Sequence, residues 1–316
     1  MAVQIPFATI SQIHQDTVVE DIFFTGLLQQ CQVNQAAPQW LIDIRQQSKS
    51  WLSRLSVPTR KDEDWRFIDL SSLTAGKFVS PQNVGALRPK GLLKDIVSLW
   101  YTASHIASRR EAPLPETENN RLVFINGIYN DELSNLAQLP QGIYVGSLNN
   151  LPDNYDAAKY FAQQSGADAF TALNTAGGDD VAVVWIDKNV VAEKRIHLIF
   201  IADGKTEASF AQPRTLVVAE IGSSVSLIEE YIGTGEYFTN AVTEIFVQNN
   251  ARVNHTRLQQ ESDASYHIGK TAVSQERDSH YTLNEINLGA KLCRHNPEMW
   301  QQGEQTETNL NGLTVA

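Results

Sequence analysis

Thr215–Ile221 (TLVVAEI) with Val225–Glu230 (VSLIEE), Thr243–Asn249 (TEIFVQN) with Val253–Leu258 (VNHTRL), and Thr271–Arg277 (TAVSQER) with Tyr281–Ile286 (YTLNEI) are three versions of one unit that recurs every 28 residues. A fixed period of this length marks an array of stacked supersecondary units. Superposing the units aligns Val217, Ile245 and Val273 in one column, Val225, Val253 and Tyr281 in a second, and Leu227, His255 and Leu283 in a third. Ser226, Asn254 and Thr282 form a polar column beside them. Successive residues of a strand point to opposite faces, so stacked coils bury the apolar columns and expose the polar one. Thr308 and Leu310, 27 residues after Tyr281 and Leu283, announce a fourth coil. The reading is a parallel β-solenoid over residues 179–316; the competing reading is a β-sandwich with evenly spaced strands.

Upstream the pattern changes. Residues 1–112 read as a helical region. Trp40, Ile44, Trp51, Leu52 and Leu55 recur near a 3.6-residue period, with Arg45, Gln46, Lys49 and Arg54 at the polar positions between, and Pro58 is the expected stop. The turn-prone run Pro113–Asn120 (PLPETENN) opens a mixed connecting segment, 113–178. Within it Leu122–Ile125, Asn126–Gly127 and Ile128–Tyr129 spell a hairpin, and Tyr155–Ala176 reads as helix ended by Gly177–Gly178. The last residues, up to Ala316, alternate as a strand does, with no polar cap; the expectation is a fragment, or an open coil end docked on a partner or on a second copy as a homodimer.

Composition narrows the function classes. With 25 Lys and Arg against 36 Asp and Glu the net charge is −11, which argues against nucleic acid and anionic membrane as partners. No run of 18 apolar residues exists and Met1–Ile10 lacks a secretory n-region and h-region, so the expectation is a soluble, cytoplasmic protein without membrane insertion. Cys31 and Cys293 allow one disulfide at most, as in a reducing compartment.

The chemistry-bearing motifs fail one by one. Gly204–Thr206 and Gly269–Thr271 are Gly-Lys-Thr triplets, but the phosphate-cradling glycine five positions earlier is replaced by Ile199 and Ala264, so both read as surface turns. Gly233-Thr-Gly235 reads as a loop. Cys293 and His295 share a strand face as two soft ligands, short of a four-ligand site; the plainer reading is a buried thiol beside a surface histidine. His255, in an apolar column, reads as a satisfied core histidine. Glu229–Glu230 and Asp179–Asp180 are adjacent on strands and face opposite ways, so neither forms an acid/base dyad. No catalytic or metal residue is assigned. A carbohydrate-active β-helix enzyme would need acidic residues on an outward column, where this chain has Ser226, Asn254 and Thr282. A membrane-transporter component is left only a peripheral role.

Val57–Leu70 (VPTRKDEDWRFIDL) is a helix stop, a charged turn, and two aromatic anchors, Trp65 and Phe67. It resembles the P-T-R/K-K-D/E-E-x-W-R/K-F/Y-x-D-L segment of the SufD branch of the SufB/SufD family. Trp40–Arg45 (WLIDIR), Leu122–Tyr129 (LVFINGIY), Ile286–Asn296 (INLGAKLCRHN) and Glu307–Ala316 (ETNLNGLTVA) extend the resemblance along the chain in order. It implies a right-handed parallel β-helix after an N-terminal helical region. It also implies a non-catalytic scaffold in iron–sulfur cluster assembly and transfer that supports iron acquisition, with a SufB-type paralogue and a SufC-type ABC ATPase as partners. ATP hydrolysis then belongs to the SufC-type partner, and an iron–sulfur cluster or flavin only to the whole complex. In the family the SufC-docking region and a cluster-related histidine lie late in the chain, past the position of Ala316, so no functional residue carries over. The location implied is cytoplasm, or plastid stroma for a plant-type source.

Overall fold

The computed structural model describes residues 21–31, 37–80, 120–136, 139–163 and 168–315. Its centre is a parallel β-solenoid with two main faces. The first is built from β1 (Arg121–Ile125), the leading halves of β5 (Ile196–Ala211) and β7 (Ser224–Val247), then β8 (Arg252–Glu261), β10 (His280–Gly289) and β12 (Glu307–Val315), all paired in parallel. The second runs β4 (Ala182–Ile186), β6 (Arg214–Ala219), the trailing half of β7, β9 (Tyr266–Gln275) and β11 (Leu292–Gln301), with β3 (Ile143–Ser147) added antiparallel at its edge. Strands β1 and β3 thus extend both faces into the segment 113–178.

The columns stack as the period requires. Val217 pairs with Ile245 and Ile245 with Val273; Val225 with Val253 and Val253 with Tyr281; Leu227 with His255 and His255 with Leu283. Tyr281 and Leu283 continue onto Thr308 and Leu310. The three apolar columns over the repeats are buried, and each enclosed aliphatic side chain contributes about 1.5–3 kcal/mol. Ser226, Asn254 and Thr282 face outward. A left-handed residue closes the same corner of each coil: Gly222 (φ 70°), Asn250 (φ 60°), Asp278 (φ 57°) and Gln305 (φ 58°). Glycine, Asn and Asp reach this region at low cost.

At the opposite corner β5 and β7 bend from one face to the other, and their ladder shifts register there, from the Gly204–Gly235 pair to the Ser209–Tyr237 pair. There Gly204 and Gly235 touch: a Cβ on Gly204 would lie 1.9 Å from the Glu236 carbonyl, and Gly235 has φ 84°. The triplets Gly204–Thr206 and Gly269–Thr271, expected as turns, and Gly233–Gly235, expected as a loop, therefore lie within strands β5, β9 and β7. Glycine stands at Gly204 and Gly235 because adjacent coils meet there, not because the chain reverses.

The helices cover the second face. Helix α1 (Ile22–Leu28) is capped by Asp21, whose Oδ1 accepts from Phe23 and Phe24 N–H. Helix α2 (Gln39–Leu52) buries Leu41, Arg45, Ser48 and Leu52. Two expectations change here. Arg45 is not a solvent-facing residue: its Nη2 donates to the Gly178 carbonyl at 2.7 Å. The helix also ends at Leu52, ahead of Pro58, because the chain is drawn away to Asp21, whose Oδ2 accepts from Val57 N–H at 2.8 Å. A short helix α3 (Ser71–Thr74) follows.

The helix expected over Tyr155–Ala176 is a 3₁₀ turn at Ala157–Lys159 and a buried helix α4 (Ala169–Gly177), broken by left-handed Ala162 (φ 58°). Asp168 caps α4 through Thr171 N–H, and Gly177–Gly178 ends it as expected. The hairpin is as read: β1 turns at Asn126 (φ 49°) and Gly127 (φ 84°) into β2 (Ile128–Tyr129). The helical reading of residues 1–20, 32–36 and 81–112, and the turn-prone run 113–119, lie outside the described residues. Among the described residues, no helix is long and apolar enough to cross a membrane.

Candidate functional site

The solenoid interior changes character along its axis. The early coils are filled by Leu122, Phe124, Val184, Ile186, Leu198 and Phe200. From Glu229 onward the lumen takes in charge. Glu229 on β7, Arg257 on β8 and Glu285 on β10 are register partners one coil apart, so the inward column alternates minus, plus, minus. Each such charge is affordable only when another group answers it.

Glu229 is fully enclosed and accepts from Thr215 (2.8 Å) and Thr243 (2.7 Å), while its second oxygen lies 3.1 Å from His255 Nε2. His255 Nδ1 meets the Tyr281 hydroxyl at 2.9 Å. Burial alone would push Glu229 up; the hydrogen bond and charge of His255 and the two threonine hydroxyls outweigh it and hold the carboxyl at about 2. Next in line, His267 Nδ1 lies 2.7 Å from Glu261, which also accepts from Thr239 (3.0 Å) and Gln259 (3.1 Å). Arg257 donates to His267 Nε2 through one arm and to Asn287 (2.8 Å) through the other, above the Tyr231 ring.

At the last coils Glu285 lies 3.4 Å from Arg257 and 2.9 Å from His295 Nδ1, the latter contact out of line for a hydrogen bond. His295 Nε2 is 2.8 Å from the Thr271 hydroxyl. Burial, reinforced by Arg257, pulls His295 down to about 4, against the opposing pull of Glu285. Glu285, raised by burial, is held at about 2 by His295, Asn287 and Arg257. At neutral pH the pair is an ionised carboxylate beside a neutral imidazole. Cys293, on the same inward face, is pushed up to about 11 by burial.

The residues singled out from the sequence fall as follows. His255 is the satisfied core histidine expected. Glu229 and Glu230 do face opposite ways, Glu230 pairing outward with His197 at 2.8 Å. Cys293 and His295 share the inward face, but His295 is a buried residue, correcting its reading as a surface one. Asp179 and Asp180 lie on a connector, not a strand; Asp180 is buried and accepts from Ser147 (2.6 Å) and Val181 N–H (2.8 Å). Both cysteines are free, Cys31 pushed up to about 12 chiefly by burial. Trp65 is an anchor, its ring 5.3 Å from Phe170 and 4.3 Å under the Arg294 guanidinium, whereas Phe67 is 89% exposed and anchors nothing. Among the described residues no group of three or more His, Cys, Asp or Glu side chains is placed to hold a metal ion. The sequence reading missed Arg257, Glu261, His267 and Glu285. The signal for two of them was present, since Glu229, Arg257 and Glu285 stand 28 residues apart.

Comparison with known proteins places this lumen. Residues 200–316 match the family model described as SUF system FeS cluster assembly, SufBD core domain, and residues 108–198 match the SufBD protein N-terminal region. An iron–sulfur cluster assembly SufBD family protein of Synechocystis is 36% identical over 98% of this chain and 66% of its own length. The chain belongs to the SufB/SufD family. Two further similar proteins are Protein ABCI7, chloroplastic, of Arabidopsis thaliana (32% identical, 84% of this chain, 54% of that protein) and iron–sulfur cluster assembly protein SufD of Escherichia coli (25%, 85% and 58%). The chain spans between 54% and 66% of the length of these relatives. The charged lumen lies wholly inside the SufBD core match, and the two SufBD models meet at the start of β5.

Proposed function

We propose that the chain is a SufD-type scaffold subunit that works in iron–sulfur cluster assembly by presenting surfaces rather than by making or breaking bonds. The observation that carries this reading is the core-domain match over residues 200–316, the stretch that holds the charged lumen. The lumen chemistry supports it: Glu229, Glu261, Glu285 and Arg257 are hydrogen-bonded to buried threonine, amide and histidine side chains, and the Cys293 thiol is held far above the thiolate range. The partners are a SufB-type paralogue and a SufC-type ABC ATPase, the latter hydrolysing ATP. The nascent cluster is the cargo of the assembled complex, and the chain contributes to iron acquisition there. Cytoplasm or plastid stroma is the place of action, in keeping with a relative named chloroplastic. The carbohydrate-active reading finds no acidic residue on the outward column Ser226–Asn254–Thr282.

Co-expression with SufB-type and SufC-type proteins from one source tests the proposal. The expected result is a co-eluting complex whose ATPase activity tracks the SufC-type subunit, the isolated chain remaining at background. ATP turnover by the chain alone, or its consistent absence from the complex, overturns the assignment.

A further inference from the structure

His267 lies between two partners with opposite demands. Nδ1 faces the Glu261 carboxylate at 2.7 Å and Nε2 faces Arg257 Nη2. A guanidinium has only donors and stays charged throughout the range in which proteins fold. Nε2 must therefore offer its lone pair to Arg257, which leaves the proton on Nδ1, donated to Glu261. In this geometry a second proton, on Nε2, is incompatible with the Arg257 contact.

The surroundings give the arginine somewhere else to go. Its other arm already donates to Asn287 at 2.8 Å and lies 3.4 Å from Glu285, both on β10 of the next coil. Tyr231 of β7 packs edge-on against the His267 ring (4.9 Å) and lies under the guanidinium (5.1 Å), so it offers a surface along which that group shifts without losing cover. From β11 the groups on this side are Cys293, the register partner of His267, and His295, which answers Glu285 at 2.9 Å.

We propose that the Arg257–His267 contact is a proton-operated switch inside the solenoid: a proton taken from solvent onto His267 Nε2 releases the guanidinium from β9 and leaves it held by Glu285 and Asn287 of the next coil. Only the N–H bond is new. The tie within the coil is lost while the tie between coils remains, and the change reaches the Cys293 side of the lumen. The inference does not depend on the chain's place in cluster assembly.

Nitrogen-15 NMR of the full chain labelled at histidine and arginine tests it. At neutral pH His267 should carry its proton on Nδ1. On acidification its doubly protonated signature should appear together with a change in the Arg257 side-chain resonances. In a Cys31→Ser background, the reactivity of Cys293 toward dithiodipyridine should change by roughly threefold or more over the same interval, beyond that of a free thiol. His267→Gln is the control: an amide both donates to Glu261 and accepts from Arg257, but does not titrate. In H267Q the Arg257 and Cys293 changes should vanish. A proton on Nε2 of His267 at neutral pH, or Arg257 and Cys293 changes that persist in H267Q, overturns the switch. The tautomer measurement on the unsubstituted chain decides the matter even if H267Q does not fold.

Discussion

Glu229 ionises inside the solenoid because two hydroxyls and an imidazole are aimed at it, which makes its carboxylate a source of acid sensitivity. Its folded value of about 2 lies below the ordinary glutamate value of about 4.5, so its contribution is fully present above pH 4.5 and is lost as pH falls toward 2. The loss is on the order of 3 kcal/mol. Urea unfolding at pH 7 and pH 3 should show about 2 kcal/mol of that loss, the rest coming below pH 3, and Glu229→Gln should flatten this part of the profile while lowering stability at pH 7. His295 works in a different window. Held at about 4, it favours the fold above its unfolded value near 6.5 and withdraws that support as pH falls from there toward 4. At this scale the sequence was half legible. His255 announced itself by interrupting an apolar column. Arg257 and Glu285 share a column with Glu229, yet charged residues on a strand ordinarily read as solvent-facing. Glu261 and His267 meet around the corner between β8 and β9, a contact that no spacing along a single strand reveals.

Turns and helix ends show how far local chemistry reaches. The Asn126–Gly127 hairpin and the Gly177–Gly178 helix end could be read directly because the residues that adopt those conformations are few. The end of α2 could not, since Leu52 is followed by nothing that forbids helix; the carboxylate of Asp21, 36 residues before Val57, holds the chain there through the Val57 N–H. The segment Val57–Leu70 divides in the same way. Trp65 and Phe67 look equivalent in the sequence, but only Trp65 is pressed between α4 and β11. Trp65→Ala should therefore cost about 2–3 kcal/mol, while Phe67→Ala should stay within about 0.5 kcal/mol; thermal melts of the two variants check the contrast. A Phe67→Ala chain that folds normally but fails to enter the SufB-type and SufC-type complex would mark the exposed ring as a contact.

The whole molecule depends on how the helical layer is fastened to the coils. Arg214 and Glu244, both buried, face outward from β6 and β7 and pair beneath the 157–163 segment. Glu244 also accepts from Ala162 N–H at 2.8 Å, Arg214 donates to Thr175 of α4 at 3.1 Å, and its guanidinium lies 4.7 Å from the Phe161 ring. Removing one partner strands the other in a dry setting. Arg214→Met should cost about 3–5 kcal/mol and open residues 157–163 to protease before the solenoid itself unfolds. Limited proteolysis followed by mass spectrometry reads that order directly. The overall architecture was the most legible feature because a 28-residue period constrains every coil at once, whereas the fastening depends on contacts between segments of unlike sequence.

The corners and the flat faces of the solenoid set different rules for lengthening the chain. Where Asn250 and Asp278 reverse it, a few added residues would bulge into water and leave the ladder intact. Where β5 and β7 sweep round with Gly204 against Gly235, the chain already differs in length from coil to coil: β5 uses four residues and β7 one between the Gly204–Gly235 and Ser209–Tyr237 pairs, and the later side chains stay in phase. Natural length variation and engineered insertions should therefore collect at the corners, because one residue added inside an unbroken stretch such as Val225–Ile232 would put the side chains after it on the wrong face, turning the acids outward.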